Sequence, residues 1–374
     1  MVGFGISKKN FESVFLLIFS VLIFVLFFVF IGSNGLVIGN DSATLMAKAL
    51  SYLSSEKISI TDIVSYPPFY HIILNTFIAF TGITDVSLLL VLTKAVTALI
   101  DVFLFLSIYL VAAKFFSKKT GFIASSLLLL CLPFFEINAY GGYASLLSIG
   151  FMMFAFLYLA TPDKGIGYML LAFIFTFSIA LTHQLTTFLV VFILTPFIIV
   201  VLFRSKGQIP KTLIAAILGG AIAIVIYYLI PILPYMNDIF FALFQMSLYQ
   251  SQIAAVSAPM FILNYGFVFL FALAGLFIGF FEFRKKKRLN AYLLLATAVL
   301  VPLLLSQSYL VGIYLPFQRF LYYLLPLFAI FAAVTVVFLI DRIHLGFFNN
   351  QKGLQNILLK TLSVVIICCL IAVV

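Results

Sequence analysis

The stretch FYHIILNTFIAFT, Phe69–Thr81, decides how the rest of this chain is threaded. It is apolar enough to enter a membrane. As a helix, however, it rises only about 20 Å, against a hydrocarbon core of roughly 30 Å. Tyr66-Pro67-Pro68 ahead of it imposes a rigid, extended approach. Charge settles whether it crosses. If it does not, Lys8, Lys9, Lys114, Lys118, Lys119, Lys164, Arg204, Lys206, Lys211, the basic run 284–288, Arg342, Lys352 and Lys360 all fall on one side, 17 of the 21 basic residues. If it does, only Lys8 and Lys9 stay there. Cytoplasmic loops carry the excess of Lys and Arg, so Phe69–Thr81 is read as an interfacial or re-entrant helix.

Working outward, apolar runs predict an all-α polytopic membrane protein with eleven spans, near 13–34, 86–112, 119–135, 143–161, 166–182, 185–203, 211–233, 261–282, 290–308, 316–340 and 354–374. The N-terminus is then cytoplasmic and the C-terminus external. Composition agrees: 65% hydrophobic, 9% charged and 46 Phe, with a mean hydropathy of +1.29. Soluble domains run about 25% charged. The net charge of +10 comes from short basic clusters between apolar runs, which excludes nucleic acid as the expected partner. The first run follows Lys8 and Lys9 and lacks a small-residue cleavage site, so it reads as a retained span and not a signal peptide. Cys131, Cys368 and Cys369 lie inside apolar runs, without metal-ligand or disulfide spacing. The 374 residues are read as one integral membrane domain with no soluble domain and no internal repeat.

The external loop 35–85 is the longest. Within it Ser42–Ser55 places Leu45, Met46, Ala49, Leu50 and Leu53 opposite Lys48 and Ser51, the pattern of an interfacial helix, with Asp41-Ser42 as its N-cap. Asp41 therefore reads either as a helix cap or as a general base held at a rigid loop-to-helix junction. Asn40-Asp41-Ser42 is formally a glycosylation sequon, but this close to the membrane it is not read as one. Glu136 closes the third span ahead of Tyr140-Gly141-Gly142-Tyr143, whose paired glycines mark a tight turn or close backbone approach. Asp41 and Glu136 together offer hard oxygen ligands for a divalent cation, magnesium or manganese. Ordinary solvated charge is the alternative. His183 and Gln184 sit at an outer helix end, as structural residues or as ligands. Arg319 defies the charge rule near the outer end of the tenth span. It serves either as a bidentate partner for phosphate or as the partner of an external carboxylate. Lys94 and Asp101 lie seven residues apart on one face of the second span, about 10 Å apart along the axis. They read as a transport path or as residues that each meet a polar partner on a neighbouring helix.

The order of these features resembles the GT-C glycosyltransferases, polytopic enzymes that use lipid-phosphate-linked sugars. It is carried by Gly39-Asn40-Asp41-Ser42 after the first span, the large external loop with its interfacial helix, Tyr66-Pro67-Pro68-Phe69-Tyr70, and Pro316-Phe317-Gln318-Arg319-Phe320. The resemblance implies transfer of one sugar from a polyprenyl- or dolichyl-phosphate donor to an acceptor hydroxyl on a lipid, glycan or protein. Transfer takes place on the external face of the cell membrane, with inversion. It implies Asp41 as base or metal ligand and Arg319 on the departing phosphate. His183 and Gln184 complete the phosphate or sugar site, and Tyr66, Tyr140, Tyr143 and Glu136 contact sugar or acceptor. The chain departs from the oligosaccharyltransferase branch in having no Trp and no Trp-bearing soluble domain. It also has Asn138 where a second loop carboxylate would stand, so no cofactor is required. Similarity is closer to the protein mannosyltransferases and the lipid-A aminoarabinose transferase. The competing expectation is a transporter or lipid flippase using Lys94 and Asp101.

Overall fold

The computed structural model describes residues 8–32, 39–54, 67–83, 85–161, 165–205, 209–230, 256–286, 288–311, 313, 315 and 317–347. The expected eleventh span, 354–374, and Tyr66 lie outside them. The described residues are helical, in the order α1 (Lys8–Phe30), α2 (Asn40–Ser54), α3 (Phe69–Thr81), α4 (Val86–Phe115), α5 (Lys118–Leu128), α6 (Leu132–Tyr140), α7 (Tyr143–Leu159), α8 (Ile166–Thr182) and α9 (Gln184–Arg204), followed by α10 (Lys211–Ile224), α11 (Ala258–Tyr265), α12 (Phe267–Lys285), α13 (Leu289–Ser306) and α14 (Arg319–Phe347).

Among these, seven helices are long and apolar enough to cross a bilayer, or eight when the bent pair α5–α6 is counted as one span. Helices α7 and α8, 17 residues each, stand at the short end of what a bilayer accepts. Ten of the eleven expected spans are thus present as helices. The protein is a multi-pass membrane protein. Its outer faces agree: α1 exposes Leu17, Ile18, Val21, Leu22 and Val25, an apolar stripe that water would not tolerate and lipid does.

Two details differ from the reading of the sequence. The third span is not straight: α5 and α6 meet at 56°. Pro133 in the first turn of α6 has no N–H, and its ring excludes a continuous helix through Leu129. The second is the start of α2, which includes Asn40, so Asp41 lies inside the first turn instead of capping it. Helix α3 keeps the limits read from sequence. Pro68 precedes it and Gly82 closes it in the left-handed conformation, donating its N–H to Ile78.

Helix α14 is the core of the bundle. Phe320 to Thr335 are buried without interruption, which marks a helix surrounded by protein on every side. It packs on α5, α12 and α13, while α4 packs on α1, α5 and α7. A methyl group on Gly275 of α12 would sit 1.8 Å from the Phe331 carbonyl oxygen, so only glycine permits this close helix approach.

Charge separates the two ends of the bundle. Lys118 pairs with Glu12, and Lys119 reaches Asp341 at 2.8 Å. These residues gather the start of α1, the start of α5 and the far part of α14 at one end. Arg319 begins α14 at the opposite end, about 33 Å away by helix rise, a bilayer's thickness. Asp41 follows the other end of α1, on the same side as Arg319.

Candidate active site

Two loops meet at that second end through glycine. Gly39, with φ 109°, turns the chain into α2, and Gly141, with φ 92°, turns it out of α6. Both angles fall in the left-handed region that favours glycine. A methyl group on Gly39 would lie 2.3 Å from the Tyr140 carbonyl carbon; one on Gly141 would lie 2.7 Å from Ser42 N and 3.3 Å from Asp41 Cβ. The two backbones are therefore in direct contact. Ser42 tightens the first turn by donating its hydroxyl to the Gly39 carbonyl at 2.6 Å. Asp41, half-buried, is seated on the turn 140–142 by backbone and not by a flexible side-chain contact.

Around this seat three charges converge. Asp41, Glu136 and Arg319 all lie close enough to act on the Tyr140 hydroxyl. Tyr140 packs its ring 5.8 Å from that of Tyr322, which lies close enough to feel the Glu136 charge. Glu136 and Arg319 are exposed. Among the described residues no carboxylate comes within ion-pair distance of Arg319, so the salt-bridge alternative finds no support there.

His183 is placed differently. It caps α9 by accepting the Thr186 N–H on Nδ1, at 3.4 Å. Nε2 lies 2.9 Å from Ser145 Oγ, and the Tyr323 hydroxyl lies 3.1 Å from Nδ1. With Nδ1 accepting a backbone N–H, Nε2 carries the proton and donates to Ser145, which requires the neutral ring. The ring ties α7, α9 and α14 together. Arg319 lies near it, so the N-termini of α9 and α14 converge here. Gln184 is exposed at the start of α9. Tyr143 is buried, with its ring 6.3 Å from that of Tyr70, and so is packed inside the bundle.

Lys94 and Asp101 do not meet each other. Lys94 donates to the Gly32 carbonyl at 3.1 Å, closing the end of α1, and Asp101 accepts from Asn138 Nδ2 at 3.2 Å. Asn138 therefore points inward, away from the exposed Glu136 two residues before it.

Tyr322 and Tyr323 escaped the sequence reading. The signal was available, because residues three and four beyond Arg319 share its helix face. Among the described residues no three His, Cys, Asp or Glu side chains gather as a metal set.

An apolar groove of about 850 Å³ runs between α11, α12 and α13, lined by Phe261, Ile262, Phe269, Leu300, Leu304 and Gln307. Its polar end is near the site. Gln307 Oε1 accepts from the Tyr309 hydroxyl at 3.2 Å, and the Tyr309 ring packs 5.0 Å from that of Phe317, two residues before Arg319.

No protein-family model and no curated protein sequence matches this chain. Solved structures do match. The archaeal oligosaccharyltransferase AglB of Archaeoglobus fulgidus, in complex with an inhibitory peptide and a dolichol-phosphate, aligns at a TM-score of 0.59 and 14% identity, over 97% of this chain and 56% of its own. ArnT of Cupriavidus metallidurans bound to undecaprenyl phosphate gives 0.59 and 14%, over 90% of this chain and 61% of its own. The apo form of the archaeal enzyme gives 0.60 over 98% of this chain. The chain thus has the fold of the GT-C membrane glycosyltransferases and spans little more than half the length of these relatives.

Proposed function

We propose that this protein is a GT-C glycosyltransferase that moves one sugar from a polyprenyl-phosphate donor to an acceptor hydroxyl at the external membrane face, with inversion. The observation that carries the reading is the seat of Asp41 on the Gly141 turn, beside Glu136 and an Arg319 with no carboxylate partner among the described residues. A catalytic base has to hold fixed geometry, and backbone contact supplies it. In the step, Asp41 removes the acceptor hydroxyl proton as that oxygen bonds to the anomeric carbon. The bond from that carbon to the phosphate oxygen breaks, and the electron pair leaves with the polyprenyl phosphate.

Arg319 matches the departing phosphate with two parallel donors. The N-termini of α9 and α14 add their positive dipole ends at the same place. Gln184, exposed on the first turn of α9, contacts the phosphate or sugar. His183 holds α9 against α14 through Tyr323 and so positions those two helix ends. Tyr140 and Tyr322 offer a ring surface for the sugar, and the groove ending at Gln307 takes the polyprenyl tail. Asp41 and Glu136, which both act on the Tyr140 hydroxyl, are the residues that would hold a magnesium or manganese ion, with Asp41 then serving as ligand in place of base. The ion would supply Lewis acidity toward the phosphate.

The transporter reading fits less well, since Lys94 is bonded to the Gly32 carbonyl just past α1 and Asp101 to Asn138 on α6. The test is a glycan and polyprenyl-lipid profile of source cells lacking the gene. Loss of one sugar, restored by the wild-type gene, supports the transferase. An unchanged glycan profile with a polyprenyl-linked lipid trapped in the inner leaflet overturns it in favour of a flippase.

A further inference from the structure

Beneath the turn that seats Asp41 lies a buried polar cluster that the sugar-transfer chemistry does not use. Asp101 on α4 and Asn138 on α6 are both fully buried. The Tyr70 hydroxyl of α3 lies near Thr97, one helical turn before Asp101, and neither oxygen makes a hydrogen bond among the described residues. Tyr143, one residue past the paired glycines, packs near both Tyr70 and Asp101.

The hydrogen-bond inventory of the central pair does not close. Asn138 Nδ2 spends its two hydrogens on Asp101 Oδ1 and on the Phe134 carbonyl, both at 3.2 Å. The second bond fixes the amide orientation, because a flipped amide would set oxygen against that carbonyl. What remains is Asn138 Oδ1 and Asp101 Oδ2, both buried without a partner. Two orphaned acceptors on one hydrogen-bonded pair of side chains are costly. An ionised carboxylate in a membrane helix with one amide donor is costlier still. One proton on the carboxyl removes both penalties, turning Asp101 Oδ2 into a donor while Oδ1 keeps its bond.

We propose that Asp101 carries a proton and forms an acid–amide pair with Asn138, which clamps α6 to α4 and positions the turn 140–142. The role given to that turn rests on the proposed function; the protonated pair does not. Asp101 is a positioning residue, two residues of α6 away from Tyr140 through Asn138 and remote from the reacting atoms. An amide at position 101 forms the same pair, so Asp101→Asn preserves the clamp, whereas Asp101→Ala and Asn138→Leu break it.

The test is infrared spectroscopy of the full chain in lipid nanodiscs at neutral pH, with carboxyl-labelled aspartate. The proposal expects a protonated-carboxyl C=O band that shifts with the label and disappears in Asp101→Asn. The same band should move in Asp101→Glu and persist in Asp41→Asn. It also expects Asp101→Asn to melt with the wild type, while Asp101→Ala and Asn138→Leu melt earlier. Absence of the band in the wild type, or an Asp101→Asn as unstable as Asp101→Ala, overturns the proposal in favour of an ionised Asp101 served by buried water. Failure of the sugar-transfer reading would leave the band and the melting order unchanged.

Discussion

The two acidic sites of this bundle, Asp41 at one end and Asp101 in its interior, are held in opposite ways. Asp41 is positioned by backbone, through Gly39 and Gly141, and its charge acts on the same Tyr140 hydroxyl as those of Glu136 and Arg319. Asp101 is held by its own carboxyl, which is enclosed by α4 and α6. A group whose side chain is consumed by packing has little left for chemistry. A group whose backbone is clamped keeps its side chain available. The same contrast separates Arg319, exposed with no carboxylate partner among the described residues, from Lys94, whose ammonium is spent on the Gly32 carbonyl.

The contrast is broken most easily at Asp41. Asp41→Asn should fold normally and lose about 10²–10⁴-fold in transfer rate, the usual worth of a general base, measured as sugar incorporation into membranes. Equal activity in Asp41→Asn would remove it as the base. Arg319→Ala should cost about 10²–10³-fold, in line with the loss of one preorganised charge-stabilising donor, and Arg319→Lys should recover only part of that. Undiminished transfer in Arg319→Ala would move the phosphate site elsewhere.

Smaller effects sharpen the distinction between seat and side chain. Gly141→Ala places a methyl group against Ser42 N in a left-handed conformation, at about 1–3 kcal/mol of strain. It should lower activity while Asp41 itself is untouched. Lys94→Met should lower the melting temperature by the equivalent of about 1 kcal/mol, the net worth of one hydrogen bond, and leave the chemistry at Asp41 in place.

The smallest effect concerns α3. His71, on α3 outside the spanning segments, is held at about 4, below its ordinary 6.5, chiefly by burial and then by the Lys48 charge. The folded ring stays neutral while the unfolded chain takes up a proton. Stability present above about pH 6.5 is therefore lost as pH falls toward 4. His71→Gln should flatten that slope in thermal melts between pH 7 and pH 5.

What was legible in the sequence was local. The limits of α3 follow from Pro68 and Gly82, which act on the residues beside them, and the spans follow from apolar length. The 56° break at Pro133 had a local cause too, but inside an apolar run it was overridden by hydropathy. The site was legible as a set of positions: Asp41, Glu136, Tyr140 and Arg319 share one end of the bundle. Their partners were not. Lys94 finds its carbonyl 62 residues away and Asp101 its amide 37 residues away. Periodicity fixes the face on which a side chain stands, whereas helix packing fixes what it meets. His183 shows the same limit, since Ser145, Thr186 and Tyr323, which it meets, come from α7, α9 and α14.

The most direct test of the central claim compares the two carboxyls in one assay. Cells lacking the gene are complemented with wild type, Asp41→Asn or Asp101→Asn at matched membrane abundance, and their surface glycans are profiled. The account predicts that wild type and Asp101→Asn restore the missing sugar and that Asp41→Asn does not. Restoration by Asp41→Asn together with failure of Asp101→Asn would contradict it and move the chemistry into the interior of the bundle.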